Sequence, residues 1–195
     1  MSVMDRIEKM IFLLMVSFFM ACGNSSSEST VEEESPLVET PVDEDDLIMR
    51  LSLELMANPR SLAEEEQNAI INYAMDEMLD IHRASSGVYY QILKKGEGDH
   101  LKWADQISVH YRGYFLDGQE FDSSHRRNKP MKFYIGNMIP GWNEGLQLLQ
   151  AGSKARLIVP SHLGYGEEGL KDGEDYLVPP NRVLVFEVEV LRKLS

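Results

Sequence analysis

The feature that most constrains the fold is a two-residue apolar repeat that starts near Gly87 and continues to the end of the chain. Apolar side chains recur at every second position in four segments, VYYQILKK, ISVHYRGYF, ARLIVP and VLVFEVEVL. This repeat is typical of β-strands with one buried face. Asp117-Gly118 predicts a hairpin turn after the second segment, and one short helix is predicted from Trp142 to Gln150. Residues 87–195 therefore predict a single α+β domain.

A helical repeat precedes this domain, over residues 43–86. The segment 44–57 spaces its leucines as a helix does and ends at Asn58-Pro59. Ser61 then opens a capping-box pattern, SLAE, before a second helix that is predicted to continue through Arg83. One side of this second helix carries Ile71, Met75, Met78, Leu79 and His82.

This stripe has two interpretations that the sequence leaves open. It packs against the first helix or the chain's own domain, or it forms a dimer contact or a surface that holds client chains. Methionine is adaptable enough for either role. A homodimer through the helical extension is therefore one of the partners that the sequence allows.

The net charge of −13 is confined to one part of the chain. Residues 23–86 hold 16 acidic residues against 3 arginines, whereas residues 87–195 hold 14 residues of each sign. An imbalance of this kind favours a solvated, self-repelling stalk, and residues 22–42, which are rich in Ser, Glu and Pro, are predicted to form a disordered tether. The sequence contains no basic patch for phosphate binding, which argues against nucleic acid as a partner.

The N-terminus has the pattern of an export signal. Residues 1–21 combine Arg6 and Lys9 with an apolar run that is shorter than the roughly 20 residues of a membrane-spanning helix. The single cysteine, Cys22, follows a small residue, and this junction resembles the lipobox at which bacterial lipoproteins are cut and acylated. It predicts a lipid anchor on Cys22 and export to the cell envelope, with Gly23 favouring the outer membrane. An ordinary signal peptide and a buried core cysteine are the alternatives.

Conventional catalytic and metal-binding motifs are missing from the sequence. The five histidines show no ligand spacing such as HxxxH, and the chain contains no GxSxG, HExxH or phosphate-binding GxxxxGK(S/T). Neither a metal nor a cofactor is therefore predicted. What remains is a fixed order of blocks rich in aromatic and polar residues: VHYRGYFLDGQEFDSS, NKPMKF, IPGWNEGL, GYG and VPPNRVLVFEVEVL.

Together these blocks resemble the FKBP family of peptidyl-prolyl cis/trans isomerases, and they cover essentially all of Gly87–Ser195 in the family's order. The resemblance implies an FKBP-like antiparallel sheet wrapped around one short helix, with an aromatic pocket between them. It also implies an isomerase that needs no cofactor, acts on proline-containing polypeptides and assists the folding of exported proteins.

The resemblance assigns roles by position. Trp142 would form the floor of the pocket, and Tyr165 would donate a hydrogen bond to the substrate carbonyl. Asp122 would face the carbonyl carbon or orient its polar neighbours, Arg127 would pair with it, and Val178 would close the pocket. The implied catalytic residues are Asp122, Tyr165, Trp142 and Phe186. The implied substrate-binding residues are Tyr111, Phe121, Arg127, Phe133, Met138, Ile139 and Val178.

An aromatic pocket suits this chemistry for a physical reason. The peptide bond rotates over a barrier of about 18–20 kcal/mol because twisting it destroys amide resonance. Water stabilises the planar, polar amide better than the twisted one, so a dry cavity that binds the twisted state lowers the barrier without breaking a bond. Taken singly, each residue also has a structural explanation, since an aromatic ring can belong to the core and Asp122 can cap a turn.

Two other functional classes remain open from the sequence. The chain could be a chaperone or adaptor that binds proline-containing or unfolded clients with incidental turnover, or a structural lipoprotein of an envelope complex. The acidic stretch GEEGLKDGEDYLVPP that begins after Tyr165 is longer than in the well-known family members, and Met131 replaces a common aromatic. Loops that border a site often determine specificity, so the resemblance does not imply a substrate preference.

Overall fold

The computed structural model describes residues 43–194, which belong to one compact unit. The signal peptide, the lipid-anchor site Cys22 and the tether predicted over 22–42 lie outside the described residues. Within the part of the chain that is described, no helix is both long enough and apolar enough to cross a membrane.

Two helices open the described chain, α1 (Glu44–Ser52) and α2 (Leu62–Asp76). The Asp43 carboxylate caps α1 by accepting a hydrogen bond from the N–H two residues further on, at 2.9 Å. The Ser61 hydroxyl caps α2 by accepting from the Glu64 N–H at 3.3 Å, which confirms the predicted start of this helix. Both helices also carry acidic residues in the first turn, where the helix dipole favours them.

The first helix is shorter than the predicted 44–57. Beyond Ser52, the backbone of Met56 pairs with the side-chain amide of Asn68 on α2. This amide donates to the Met56 carbonyl at 2.9 Å and accepts from the Met56 N–H at 2.8 Å. Backbone groups that bond to a neighbouring side chain in this way are no longer available to continue a helix.

The prediction that the second helix continues through Arg83 is wrong, because α2 closes in a Schellman-type turn after Asp76. The N–H of Leu79 donates to the carbonyl of Ala74 at 2.8 Å. Met78 takes the left-handed conformation, with φ 51°, at a position that usually holds glycine. The chain then forms its first strand where the last helical turn was predicted.

Nine strands follow within the described residues, and all of their pairings are antiparallel. Seven of them form one sheet: β1 (His82–Arg83), β2 (Tyr89–Lys94), β3 (Gln106–Phe115), β4 (Glu120–Ser123), β5 (Met131–Tyr134), β6 (Lys154–Val159) and β9 (Leu184–Lys193). Their order is β1-β2-β6-β9-β3-β4, and β5 pairs with the first half of β3. The strands β7 (Leu170–Asp172) and β8 (Asp175–Val178) form a separate hairpin.

The short helix α3 spans Pro140–Leu146, so it begins and ends earlier than the predicted Trp142 to Gln150. Proline suits the first turn of a helix because its fixed φ is helical and its missing N–H would have no helical partner there. At the other end, Gln150 has left the helix and forms a β-bridge with His100.

The sheet separates two apolar clusters. On its front face, α3 and the strands enclose a cluster that includes Trp142, Leu157 and Phe186. On its back face, α1 and α2 cover a second cluster that includes Ile158 and Val185. Neighbouring residues of one strand therefore serve different clusters, as the two-residue repeat requires. The structure confirms the predicted α+β class, an antiparallel sheet around one short helix preceded by helices.

Part of the apolar stripe predicted for the second helix belongs to the back cluster, which includes Ile71 and Leu79. Ile71 is fully buried and Leu79 is 7% exposed, whereas Met78 is 38% exposed. Packing against the chain's own domain is therefore confirmed for the two buried residues, which leaves them inaccessible to a partner.

Candidate active site

A cavity of about 140 Å³ opens between the front face of the sheet and α3. Its walls come from β3, β4, β5 and β9, from the start of α3 and from the turn that follows β6. The lining residues are Tyr111, Phe121, Asp122, Met131, Met138, Ile139, Trp142, Tyr165 and Phe186.

Four aromatic rings meet edge to face around this cavity. Trp142 stands in the first turn of α3, and its ring centroid lies 5.1 Å from that of Tyr111 and 5.2 Å from that of Phe186. The corresponding interplanar angles are 90° and 83°. Phe121 meets Phe186 at 5.6 Å and 87°. Edge-to-face contacts of this kind are favourable, so the rings hold one another in place and the cavity is formed before any ligand arrives.

Gly113 on β3 is required by this arrangement. A Cβ atom at this position would lie 2.8 Å from the Phe121 ring and 3.0 Å from the Phe186 ring, and at such distances something has to shift. Two aromatic side chains from neighbouring strands therefore occupy the space that any larger residue would need. This close approach explains the glycine in the VHYRG block.

The indole of Trp142 presents an apolar surface at the cavity floor. Its Nε1 is buried and has no hydrogen-bond partner within residues 43–194. Phe133 packs against the indole with a centroid distance of 5.4 Å, without lining the cavity itself. The face of the indole ring is an apolar surface against which a ligand ring can pack.

One polar corner interrupts the aromatic wall. The Asp122 carboxylate accepts hydrogen bonds from the Tyr111 hydroxyl, from the Arg127 guanidinium and, at 2.7 Å, from the Ser123 N–H. Arg127 also donates to the Tyr111 hydroxyl at 2.7 Å. The three side chains thus form a closed triangle in which the carboxylate has a fixed direction.

These contacts keep Asp122 ionised at neutral pH. Burial by itself raises the pKa of a carboxyl, but the hydrogen bonds from Tyr111 and Arg127 outweigh it and hold the pKa of Asp122 below its usual value. Burial and the bond to Asp122 raise the pKa of Tyr111 to about 12, so its hydroxyl keeps its proton.

Tyr165 reaches the cavity from a tight turn after β6. The chain leaves β6 through the 3-10 turn Ser161–Leu163, and the Ser161 carbonyl accepts from the N–H groups of Gly164 and Gly166, both at 2.9 Å. Tyr165 lies between these two glycines, so its backbone is held on both sides. Burial, followed by the negative charge of Asp122, raises the pKa of Tyr165. Its hydroxyl is therefore a hydrogen-bond donor at neutral pH.

Asn143 is a site residue that the sequence analysis missed. It is buried on α3, and its Oδ1 accepts from the N–H groups of Gly136 at 2.8 Å and Met138 at 3.3 Å. Its Nδ2 donates to the Met138 carbonyl at 2.7 Å. One amide side chain therefore orders the loop that delivers Met138 and Ile139 to the cavity. Its place inside the GWNEGL block was the available signal.

Most of the predicted site residues meet at this cavity. Those that line it are Asp122, Tyr165, Trp142, Phe186, Tyr111, Phe121, Met138 and Ile139. Arg127 reaches it only through the polar triangle, and Phe133 only through the indole. Met131, noted in the sequence as a replacement for an aromatic, lines the cavity directly.

Val178 lies in a different place from the predicted closing position. It ends β8, pairs with Leu170 of β7, and is 1% exposed within the front apolar cluster. Its side chain lies in the front apolar cluster and is not among the residues that line the cavity. Within residues 43–194 there is also no group of three or more side chains suited to holding a metal ion.

Comparisons with known proteins agree with this geometry. The family model described as FKBP-type peptidyl-prolyl cis-trans isomerase matches residues 98–191. Among curated proteins, the FKBP-type peptidyl-prolyl cis-trans isomerase FkpA of Escherichia coli K12 is 40% identical over 111 residues, which are 57% of this chain and 39% of FkpA. The chain spans about two fifths of the length of the curated relatives that it matches.

Solved structures show the same similarity in three dimensions. The crystal structure of AtFKBP13 matches with a TM-score of 0.56 at 31% identity, over 59% of this chain and 99% of that chain. The crystal structure of FkpA from Escherichia coli matches with a TM-score of 0.59 at 32% identity, over 74% of this chain and 63% of that chain.

Proposed function

This chain belongs to the family of FKBP-type peptidyl-prolyl cis-trans isomerases, and we propose that it accelerates cis/trans isomerisation of X-Pro bonds and thereby assists the folding of exported proteins. The observation that carries this proposal is the aromatic cavity with a single fixed carboxylate at its edge. No nucleophile or metal takes part in the proposed reaction.

The cavity suits a prolyl ring because its floor and walls are apolar. Trp142 and Phe186 contact each other edge to face, and both line the cavity. A prolyl ring that packs on these rings leaves water, and its imide bond enters a less polar environment. Because the planar amide is more polar than the twisted one, this environment lowers the free energy of the twisted state relative to the planar state.

The Tyr165 hydroxyl, the backbone before α3 and the Asp122 carboxylate then orient the rest of the substrate. The Tyr165 hydroxyl donates to the substrate carbonyl, and the backbone of Met138 and Ile139 binds the extended chain. The ionised Asp122 faces the carbonyl carbon, which becomes more electrophilic as amide resonance is lost. Arg127 keeps the Asp122 carboxylate from rotating away, because it donates to both Asp122 and Tyr111.

The size of the effect can be bounded. Uncatalysed X-Pro isomerisation takes tens to hundreds of seconds, and each tenfold acceleration requires about 1.4 kcal/mol of selective transition-state binding. A typical neutral hydrogen bond, such as the one from the Tyr165 hydroxyl to the substrate carbonyl, contributes about 0.5–1.5 kcal/mol. This bond accounts for about one power of ten, and any larger acceleration has to come from the apolar cavity and Asp122.

We also propose the arrangement of the whole chain. A signal peptide over residues 1–21 is removed, Cys22 receives a lipid anchor, and residues 22–42 tether the helical extension (43–86) and the isomerase domain (87–195) to the outer membrane. Mass spectrometry of the mature N-terminus tests this, with Cys22→Ala as the matched variant. An unmodified mature chain that begins beyond Cys22 would show that the N-terminus is an ordinary signal peptide and that Cys22 carries no lipid anchor.

A homodimer through the helical extension is a further part of the proposal. Ile48, Met49 and Leu53 of the first helix region are exposed apolar residues that do not take part in the back cluster. Sedimentation of the chain that starts at Gly23 tests it, and Met49→Glu should shift the equilibrium towards monomer. A monomer at all concentrations would remove the dimer from the proposal.

The experiment that tests the activity is an exchange assay on a proline peptide, with the soluble chain that starts at Gly23. The wild type is compared with Asp122→Val and Tyr165→Phe, and Glu187→Gln on the back of the sheet serves as the matched control. We expect acceleration by the wild type and the control, a loss in both site variants, and inhibition by a macrolide that fills FKBP pockets. A folded wild-type chain without acceleration would overturn the proposed enzyme.

A further inference from the structure

Glu66 is a buried acidic residue on α2 whose environment calls for an explanation. It is 6% exposed and lies at the contact between the helices and the sheet. One carboxylate oxygen, Oε2, accepts a hydrogen bond from the Ser161 N–H at 3.0 Å. The other, Oε1, is buried and has no hydrogen-bond partner among the residues that the structure describes.

Such an arrangement is costly for stability alone. A buried carboxylate that leaves one oxygen unpaired loses solvation that a single hydrogen bond does not replace. The neighbouring buried positions of the same helix, Ile70, Ile71 and Ala74, are apolar and contact the back cluster at no such cost. Buried polar groups of this kind call for an explanation, and the one side-chain hydrogen bond that Glu66 makes within residues 43–194 points to a specific role.

The Ser161 N–H belongs to the segment that carries Tyr165. Ser161 begins the 3-10 turn after β6, and its carbonyl accepts from the N–H groups of Gly164 and Gly166, both at 2.9 Å. Tyr165 is the residue between them. Glu66 therefore accepts a hydrogen bond from the N–H of Ser161. The carbonyl of the same Ser161 accepts hydrogen bonds from the residues on either side of Tyr165.

On the near side of this turn, the pairing of β6 with β9 ends at Val159, opposite Leu184, and backbone contacts fix the far side. The Gly166 carbonyl accepts from the Asn181 N–H at 2.8 Å, and the Tyr165 carbonyl accepts from the Gly169 N–H at 3.0 Å. Both partners lie later in the chain than Tyr165. Apart from the bonds within the turn, Glu66 is the side chain that anchors its beginning.

We propose that Glu66 is a positioning residue for Tyr165, through which the helical extension sets the direction of the Tyr165 hydroxyl in the cavity. The inference rests on the proposed isomerase function for its kinetic consequence, but the structural link can be measured without any activity. It gives the helices, which lie on the opposite face of the sheet from the cavity, a role in the reaction.

The structural link is tested by amide hydrogen exchange. Glu66→Leu removes the acceptor and fills the same buried space with an apolar side chain. Glu66→Gln keeps a carbonyl oxygen that can accept from the Ser161 N–H. We expect the amides of Ser161, Gly164 and Gly166 to exchange about tenfold faster or more in Glu66→Leu and at nearly the wild-type rate in Glu66→Gln. Ala74→Gly, which weakens the same helix through its backbone, is the matched control and should leave these three amides protected.

The kinetic consequence is tested by a double-mutant cycle with Tyr165→Phe. We expect Glu66→Leu to lower kcat about tenfold with little change in KM, because a misplaced Tyr165 hydroxyl weakens chiefly the stabilisation of the transition state. In the Tyr165→Phe background the same substitution should change kcat by less than about twofold, since the group that it positions is already absent. Glu66→Gln should retain kcat within about twofold of the wild type.

The outcomes separate this inference from the proposed function. If the folded wild type does not accelerate isomerisation, the proposed function fails, and amide exchange still decides whether Glu66 orders the turn. Unchanged exchange in Glu66→Leu would overturn the inference. An equal loss of kcat in both backgrounds would also overturn it, because Glu66 would then act by a route other than Tyr165.

Discussion

Two tyrosines three positions apart on β3 build similar constellations on opposite faces of the sheet. On the front, the Tyr111 hydroxyl donates to Asp122, which also pairs with an arginine. On the back, the Tyr114 hydroxyl donates to Glu187 at 3.1 Å, and Arg156 donates to the same carboxylate oxygen at 3.0 Å. Each group consists of a tyrosine, a carboxylate and an arginine, yet only the front group adjoins the aromatic cavity.

The difference lies in what surrounds each group. The back group joins three adjacent strands, β6, β9 and β3, and its arginine is only 17% exposed, whereas Arg127 of the front group is 50% exposed. Burial and the neighbouring Tyr73 of α2 raise the pKa of Tyr114. The comparison shows that the residue types do not define a site. The front group belongs to one because its carboxylate borders the aromatic cavity, whereas the cleft that Glu187 borders is lined in part by charged residues such as Arg112 and Lys154.

The largest expected difference between the two groups is in catalysis. Asp122→Ala should lower kcat/KM for a proline peptide about 100-fold, because it removes the one charged group of the cavity. Glu187→Ala, which removes the matching carboxylate on the back, should leave kcat/KM within about twofold. An exchange assay on both folded variants measures this. Equal losses would mean that the two faces do not differ in function.

For the stability of the fold, we expect the back group to contribute more than the front group. Arg156→Met should lower the free energy of unfolding by about 2 kcal/mol, because it removes a largely buried guanidinium and leaves Glu187 and the buried Tyr114 without their shared partner. Arg127→Met should lower it by less than about 1 kcal/mol, since exposed ion pairs contribute little. Urea unfolding of the two variants provides the comparison. A larger loss for Arg127→Met would show that the front group is the structural one.

Removal of one hydroxyl from each group should have a smaller effect. Tyr114→Phe is expected to cost about 1 kcal/mol of unfolding free energy with kcat unchanged, as for a typical buried hydrogen bond. Tyr111→Phe should instead lower kcat a few-fold, about threefold to tenfold, because it loosens Asp122. Thermal unfolding and the exchange assay, applied to both variants, separate the two effects. A change in kcat for Tyr114→Phe would contradict the assignment.

The smallest expected effect is on the pH dependence of stability. The pKa values of Asp122 and Glu187 both lie below their usual values: burial opposes this, but hydrogen bonds from Tyr111 and Arg127 in one case and from Arg156 and Tyr114 in the other outweigh it. A carboxyl with a lowered folded-state pKa stabilises the fold above its unfolded pKa of about 4, and this contribution is lost as the pH falls through the folded value.

Unfolding curves between about pH 2 and pH 5 measure this contribution. In Asp122→Asn and Glu187→Gln, the free energy of unfolding should fall less steeply as the pH is lowered through this range. The difference from the wild type should be less than about 1 kcal/mol, because both carboxylates are partly exposed. A variant that loses stability as steeply as the wild type would show that its carboxylate does not contribute.

Much of the fold could be predicted because it depends on local repeats. The alternation in ISVHYRGYF places Tyr111 and Tyr114 on opposite faces whatever the rest of the chain does. The cap at Ser61 was predictable for the same reason, since it involves residues three apart. The aromatic residues of the cavity could be predicted from the order of the motif blocks. The glycine in one of these blocks, Gly113, has a steric reason, because the Phe121 and Phe186 rings occupy the space beside it.

The errors arose where a distant contact overrode the local pattern. Met78 ends α2 in a conformation that its own preference disfavours, because the chain must turn there so that β1 can pair with β2. The first helix stops early because Asn68 of the second helix bonds to its continuation. Val178 reads locally as part of a loop, but the pairing of β8 with β7 buries it.

The sequence by itself determined the strand faces, the starts of α1 and α2 and the identity of the aromatic residues, because these depend on spacing along the chain and on residue chemistry. Only the tertiary structure decided that Asn143 orders the loop before α3, that Glu66 on one face of the sheet reaches the turn of Tyr165, and that one of two similar tyrosine groups borders the aromatic cavity. The physical reason is that hydrogen bonds and cavities depend on distances between atoms that the chain separates by up to 95 positions, and no local pattern carries those distances.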